Sequence, residues 1–133
     1  MIRETRNMDI VNSILTIPEI WKDIAPEGID AFDMPYDSDF LYYMANDSDG
    51  VIIFHPYRDG LKIHPNFIPD RRGKAAYRAI DESIQSVFER GVTSVYAEIN
   101  RNLKHVIRCA KALGFSLLES GERDLLVRYK LDA

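Results

Sequence analysis

Cysteine is almost missing from this chain: Cys109 stands alone. Without a second thiol there is no internal disulfide, and without Cys or His at ligand spacing beside it no metal site is expected. Long apolar runs are missing too. None approaches the roughly 18 residues of a spanning helix, and the opening Met1-Ile-Arg-Glu-Thr5 lacks the apolar stretch of a signal peptide. The expectation is a soluble, cytoplasmic protein with no membrane partner. An excess of positive charge is also lacking, since the net charge is −4 and the pI about 5.3. That argues against general nucleic-acid binding, which needs a basic surface, and leaves room only for a local basic patch. What is present is enough for one core: 46% apolar residues, six Phe, seven Tyr and one Trp in 133 residues. A single domain over residues 1–133 is expected.

Periodicity divides the chain. Ile2 to Thr5 reads as a short strand, followed by apolar residues at helical spacing in Ile10/Val11/Ile14/Leu15 and in Ile17/Ile20/Trp21/Ile24, with Pro18 separating two helices. Residues 25–39 are rich in Pro, Gly and Asp and read as an irregular connection. Strands are expected over 40–45, 51–55 and 61–67, joined by Gly-containing turns that suit antiparallel hairpins. Asp47, Asp49 and Asp59 fall in those turns without calcium-loop spacing, so turn chemistry is their expected role. A helix is expected over 71–90 from the stripe Ala76, Ile80, Ile84, Val87 and Phe88, then a strand over 92–99. A second helix follows with Leu103, Val106, Ile107, Ala110 and Leu113 on one face, and the last strands cover 115–118 and 125–130. Strand, helix, strand over 61–99 implies a parallel pair.

Pro69-Asp-Arg-Arg-Gly-Lys74 places three cations and a glycine between a strand and an amphipathic helix. The first N–H groups of a helix lack intrahelical partners and sit at the positive end of the dipole, so a phosphate there gains several donors. The plainer reading makes Asp70 a helix N-cap and the cations a solvated face. Among titratable groups, His64 alternates with Lys62 on the face opposite Leu61 and Ile63, and Glu98 lies on the next strand. Either suits a general base. His55 and His105 are read as structural or solvated, Cys109 as a small buried hydrophobe, and Asn102 as a helix N-cap.

This order of elements resembles the GNAT superfamily of N-acetyltransferases, at Met1 to Asp9, at Pro69 to Tyr77 and at Lys111-Ala-Leu-Gly-Phe115. The resemblance implies an α/β (α+β) fold with a mixed sheet of about six to seven strands, antiparallel in its N-terminal part, a splayed parallel pair in the middle and helices on both faces. It also implies acetyl-CoA as cofactor, with Phe67, Ile68, Arg71, Arg72, Gly73, Lys74, Ala75, Ala76 and Tyr77 as its pyrophosphate loop. A base, His64 or Glu98, would deprotonate an acceptor amine chosen by variable segments such as 25–39. On the family's loop pattern Arg72 takes the Arg position, Ala75 stands where Gly is usual and Tyr77 where Gly or Ala is usual. Ala110 stands where a catalytic Tyr is frequent, and its apolar stripe makes it a small packing residue.

A further resemblance, carried by Ile63-His-Pro-Asn-Phe-Ile-Pro-Asp-Arg-Arg-Gly-Lys74, is to small GNAT-like proteins of short-tailed bacteriophages, some acetyltransferases and others head-assembly or virion proteins. It implies residence in a host cytoplasm or a virion. Two functions follow: an acetyl-CoA-dependent N-acetyltransferase or coenzyme A-binding relative, placed ahead because Arg72, Gly73 and Lys74 are kept, and a non-catalytic scaffold contacting phage structural proteins. Charge asymmetry adds a homo-oligomer in which the acidic N-terminal half meets the basic cradle head to tail.

Overall fold

The computed structural model describes residues 2–46 and 48–131. Asp47, read above as a turn residue, and Met1, part of the opening motif, lie outside the described residues. Seven strands form one sheet in the order β1-β2-β3-β4-β5-β7-β6: β1 Ile2–Glu4, β2 Leu41–Ala45, β3 Gly50–Tyr57, β4 Gly60–Phe67, β5 Ser94–Asn100, β6 Ser116–Ser120 and β7 Asp124–Lys130. The helices are α1 Met8–Leu15, α2 Pro18–Ile24, α3 Lys74–Glu89 and α4 Lys104–Leu113. β1, β2 and β3 pair antiparallel. β4 and β5 pair parallel at Leu61↔Val95 and Lys62↔Tyr96, as the helix crossover between them requires. β5–β7 and β6–β7 are antiparallel, with a bulge between Leu117 and Glu119. No helix among the described residues is long and apolar enough to cross a membrane, and no group of metal-ligating side chains occurs among them.

The chain forms two compact units, Met1–Phe54 with His64–Ser83 and His55–Ile63 with Ile84–Ala133. In the first, Asn7 Oδ1 accepts the Asp9 N–H at 3.1 Å and caps α1. Pro18 opens α2 at its first position, where its missing N–H costs nothing. The apolar stripes of both helices meet β2 and β3 in a core of Val11, Ile14, Leu15, Ile20, Tyr42, Met44 and Val51. Residues 25–39 have no helix or strand. Side chains hold this strap instead: Asn12, 5% exposed, donates Nδ2–H to the Met34 carbonyl at 2.9 Å and accepts the Met34 N–H at 2.9 Å. Trp21 Nε1 donates to the Ile29 carbonyl at 2.9 Å and its ring meets Phe32 edge to face at 5.2 Å.

In the second unit, Phe88 and Phe115 stack edge-on to Tyr129 at 5.2 and 5.6 Å. Two glycines are required there. A Cβ on Gly60 would lie 2.0 Å from the Ser94 carbonyl oxygen, and Gly114 ends α4 at φ 122° with the Tyr129 ring 2.9 Å from where its Cβ would be.

Four expectations are corrected. α3 begins at Lys74 rather than 71, because Pro69–Arg71 forms a single 3-10 turn first. Asp70 lies inside that turn and does not cap α3. Asn102 does not cap α4 either: Leu103 holds that position, and the Asn102 N–H donates to Asn100 Oδ1 at 2.9 Å. The α4 stripe is covered only in part, with Ala110 buried while Leu103 and Val106 are 51% and 38% exposed.

Candidate functional site

In the first unit, β4 leads directly through the 3-10 turn to the start of α3. Arg72 Nε donates to the Phe67 carbonyl at 3.2 Å, tying the loop back to the strand it leaves. The Ile68 N–H is taken by the Asp49 carbonyl at 2.9 Å and its carbonyl accepts the Arg71 N–H at 2.8 Å, so residue 68 offers a ligand its side chain but no spare backbone donor. Arg71 Nε lies 3.5 Å from Asp49 Oδ1 and Asn46 Nδ2 donates to the Ala75 carbonyl at 3.1 Å, so the β2–β3 turn braces the loop. The Tyr77 N–H bonds the Gly73 carbonyl at 3.2 Å; the N–H groups of Lys74, Ala75 and Ala76 come ahead of that bond and have no intrahelical acceptor. Lys74 and Ala75 are exposed, Ala76 is buried and Tyr77 half-buried. A Cβ at Gly73 would meet nothing within 4 Å, so the loop mouth is open. A groove of about 770 Å³ borders it, with Arg3, Asn46, Ser48, Asp49 and Arg71 among its lining. Helix-start donors with Arg71, Arg72 and Lys74 around them are of the kind that suits an anion. His64 is half-buried on the same β4, its carbonyl accepting from Asn66 Nδ2 at 3.0 Å.

In the second unit, Lys62 forms an ion pair with Glu98, across the parallel β4–β5 ladder, and its Nζ stands 4.8 Å above the Tyr57 ring. The Lys62 side chain is 12% exposed and that of Glu98 47%, so the ammonium is covered while the carboxylate reaches outward. Tyr57 meets Tyr96 edge to face at 5.1 Å. The Tyr96 hydroxyl donates to Asp59, which holds the Asp59 carboxyl below its ordinary range and pushes the Tyr96 phenol above its own. Arg58 spans both Glu119 oxygens at 3.0 and 3.1 Å and lies over both tyrosine rings. A cavity of about 290 Å³ opens here, with Tyr57, Glu98, Glu119, Glu122, Arg123 and Asp124 in its lining. Four carboxylates beside an aromatic face suit a cationic amine, and Glu98 is the member on β5, the strand parallel to β4.

Sequence reasoning named Glu98 and the loop as candidates and did not name the other cavity walls. His55 Nδ1 contacts the Pro56 carbonyl at 3.0 Å. The return of residues 119–124 toward Glu98 depends on the β5–β7–β6 register, which the sequence does not display. His105 is exposed, its Nε2 3.9 Å from the half-buried Cys109 Sγ. Ala110 is 9% exposed, as a packing residue should be.

No protein-family model matches the chain, and no curated protein matches it. Solved structures do. An IAA acetyltransferase from Bacillus cereus ATCC 14579 superposes with a TM-score of 0.74 at 13% identity, covering 98% of this chain and 99% of that one. A ribosomal-protein-alanine N-acetyltransferase from Brucella melitensis gives 0.73 at 15%, again over 98% and 99%. The Campylobacter jejuni N-acetyltransferase PseH, solved with acetyl coenzyme A, gives 0.63 at 19% over 72% and 71%. At these identities the likeness establishes the fold alone, which this chain shares with these acetyltransferases.

Proposed function

We propose that the chain is a GNAT-type, acetyl-CoA-dependent N-acetyltransferase that moves an acetyl group to an amine. One observation carries the reading: β4, parallel to β5, runs through an open loop bearing Arg71, Arg72 and Lys74 into the start of α3. The donor set fits the cofactor, because a diphosphate needs several N–H groups and cations at one helix start and Gly73 leaves the approach uncrowded. Acetyl-CoA supplies an acetyl group activated as a thioester. Lys74 and the N–H groups of residues 74–76 bind the diphosphate, while Arg72, through the Phe67 carbonyl, keeps the loop in shape. Residues 67, 68, 75 and 77 complete the loop as backbone and walls. In the acidic cavity, Tyr57 and the carboxylates hold the acceptor as its cation, and Glu98 accepts the proton that the nitrogen must lose before it attacks. His64 is the alternative base.

Calorimetric titration with coenzyme A tests the reading. Saturable binding is expected, weakened about tenfold or more in Lys74→Ala and in Arg72→Ala, each tenfold being about 1.4 kcal/mol. Absence of binding at millimolar cofactor, or unchanged affinity in Arg72→Ala, would remove it. General bases contribute about 10²–10⁴-fold, so Glu98→Gln is expected to lower kcat in that range and His64→Gln far less. The reverse ranking would move the role to His64.

One observation favours a second reading. The buried Ala110 offers no phenol to protonate a departing thiolate, which suits a scaffold acting through protein contacts, such as a bacteriophage head-assembly or virion protein. Coenzyme A binding with no turnover against any amine would be its mark.

A further inference from the structure

Two surfaces of opposite charge each leave apolar side chains uncovered. The strap exposes Ile29, Phe32, Met34 and Tyr36, between 40% and 54% exposed, and Ile24, the last residue of α2 just before it, is 43% exposed. It lies in a stretch, Asp23 to Tyr57, that contains no Lys or Arg, and Asp23, Glu27, Asp30, Asp33, Asp37 and Asp39 are all exposed. It is an ordered surface, since Asn12 and Trp21 fix its backbone at Met34 and Ile29. α4 is its counterpart. Leu103 and Val106 are 51% and 38% exposed with Ile107 half-buried beside them. Lys104, Arg108 and Lys111 form a second stripe alongside, and residues 101–113 contain no Asp or Glu. None of those three cations has an ion-pair partner among the described residues.

We infer that the acidic strap of one copy docks on the basic face of α4 of a second copy. The inference is independent of catalysis. Exposed apolar groups on both sides supply the burial, and the opposed charges set the pairing. The same charges exclude the symmetric alternatives, because α4 against α4 or strap against strap would bring like charges together. They also revise the head-to-tail expectation read from sequence, in which the basic partner was the loop at 69–74. Arg71 there is paired with Asp49, Arg72 is turned to Phe67, and no large apolar side chain of the loop is exposed. α4 carries the cations and the apolar stripe together. Because strap and helix are different surfaces, the contact closes as a two-fold dimer if it is made twice, or repeats head to tail as a ring or an open chain.

Sedimentation velocity of the full chain over a range of concentration tests this. Association is expected to grow with concentration and to weaken as salt is raised from about 0.05 to 0.5 M, where screening shortens to a few ångströms. Reversing the strap with Asp30→Lys and Asp33→Lys, or the helix with Lys104→Glu and Arg108→Glu, should raise the dissociation constant about tenfold or more. Mixing the two variants should restore association, because each then meets the charge it lacks. All four positions are exposed, and circular dichroism with thermal melting verifies their fold; Val106→Ser supplies a charge-neutral variant with the same expected loss. A monomer at every concentration, association indifferent to either reversal, or a mixture that stays apart would overturn the inference. So would a monomer whose strap is saturated by polylysine, which would assign the surface to a basic polypeptide instead.

Discussion

Asn12 and Met34 are 22 residues apart, yet one amide side chain satisfies both backbone groups of the other residue. Removing a partner from a buried polar group leaves that group desolvated and unpaired, at a cost of about 1–3 kcal/mol. Asn12→Ala is therefore expected to lower stability by that amount and to speed proteolysis within 25–39 before the rest of the chain. Asn12→Asp should do nearly as much harm, since a carboxylate keeps the acceptor but loses the donor to the Met34 carbonyl. Chemical denaturation with limited proteolysis checks both, and a strap cut no faster than in the parent would refute the clamp. The Tyr96–Asp59 hydrogen bond makes a pH-dependent prediction. The folded Asp59 pKa is depressed, so its contribution is present above the ordinary carboxylate pKa and lost as pH falls through the folded value. The Tyr96 pKa is raised, so its contribution holds below the ordinary phenol value and is lost as pH rises through the folded one. The stability difference between the parent and Tyr96→Phe should be constant through neutrality and shrink at both ends. Urea denaturation over the pH range measures it, and a difference independent of pH would contradict the assignment.

At the scale of elements, hydrophobic period was a good guide and turn detail was not. The stripe Ala76, Ile84, Val87 and Phe88 is buried as its spacing demands. The helix start was misplaced because a Pro followed by a cationic run reads equally well as a first turn or as a separate 3-10 turn, and the choice falls to Arg72 bonding the Phe67 carbonyl. The acidic cavity was hidden for a related reason. Arg58 and Glu119 are 61 residues apart, and only strand register brings them together. α4 shows the converse error, since an amphipathic pattern announces an apolar face without saying that anything covers it. The β3–β4 hairpin offers an element-scale test. Gly60→Ala puts a methyl group into the Ser94 carbonyl, an overpacking expected to cost about 1–3 kcal/mol. Equilibrium denaturation checks it, and unchanged stability would mean that the hairpin can move away from β5.

For the molecule as a whole, the sequence reading reached the fold through the order of its elements, and the seven-stranded sheet follows that order. Function was less legible because it depends on which groups are already engaged. Arg71, Arg72 and Lys74 look equivalent in sequence, but Asp49 and the Phe67 carbonyl occupy the first two, leaving Lys74 as the most available cation at the helix start. Lys74→Ala should therefore reduce coenzyme A affinity without a loss of thermal stability, whereas Arg72→Ala should reduce both. Paired calorimetry and melting curves separate the two, and equal effects on stability would show that Arg72 does not shape the loop.

Trp21 is the chain's one indole, 8% exposed, bonded to Ile29 and set against Phe32. Its intrinsic fluorescence therefore reports on a single place. Light absorbed by that ring and re-emitted from it senses the order and wetting of the strap, with no label added. A red shift marks the strap lifting away, and any molecule that settles on Phe32 writes its arrival into the same emission band.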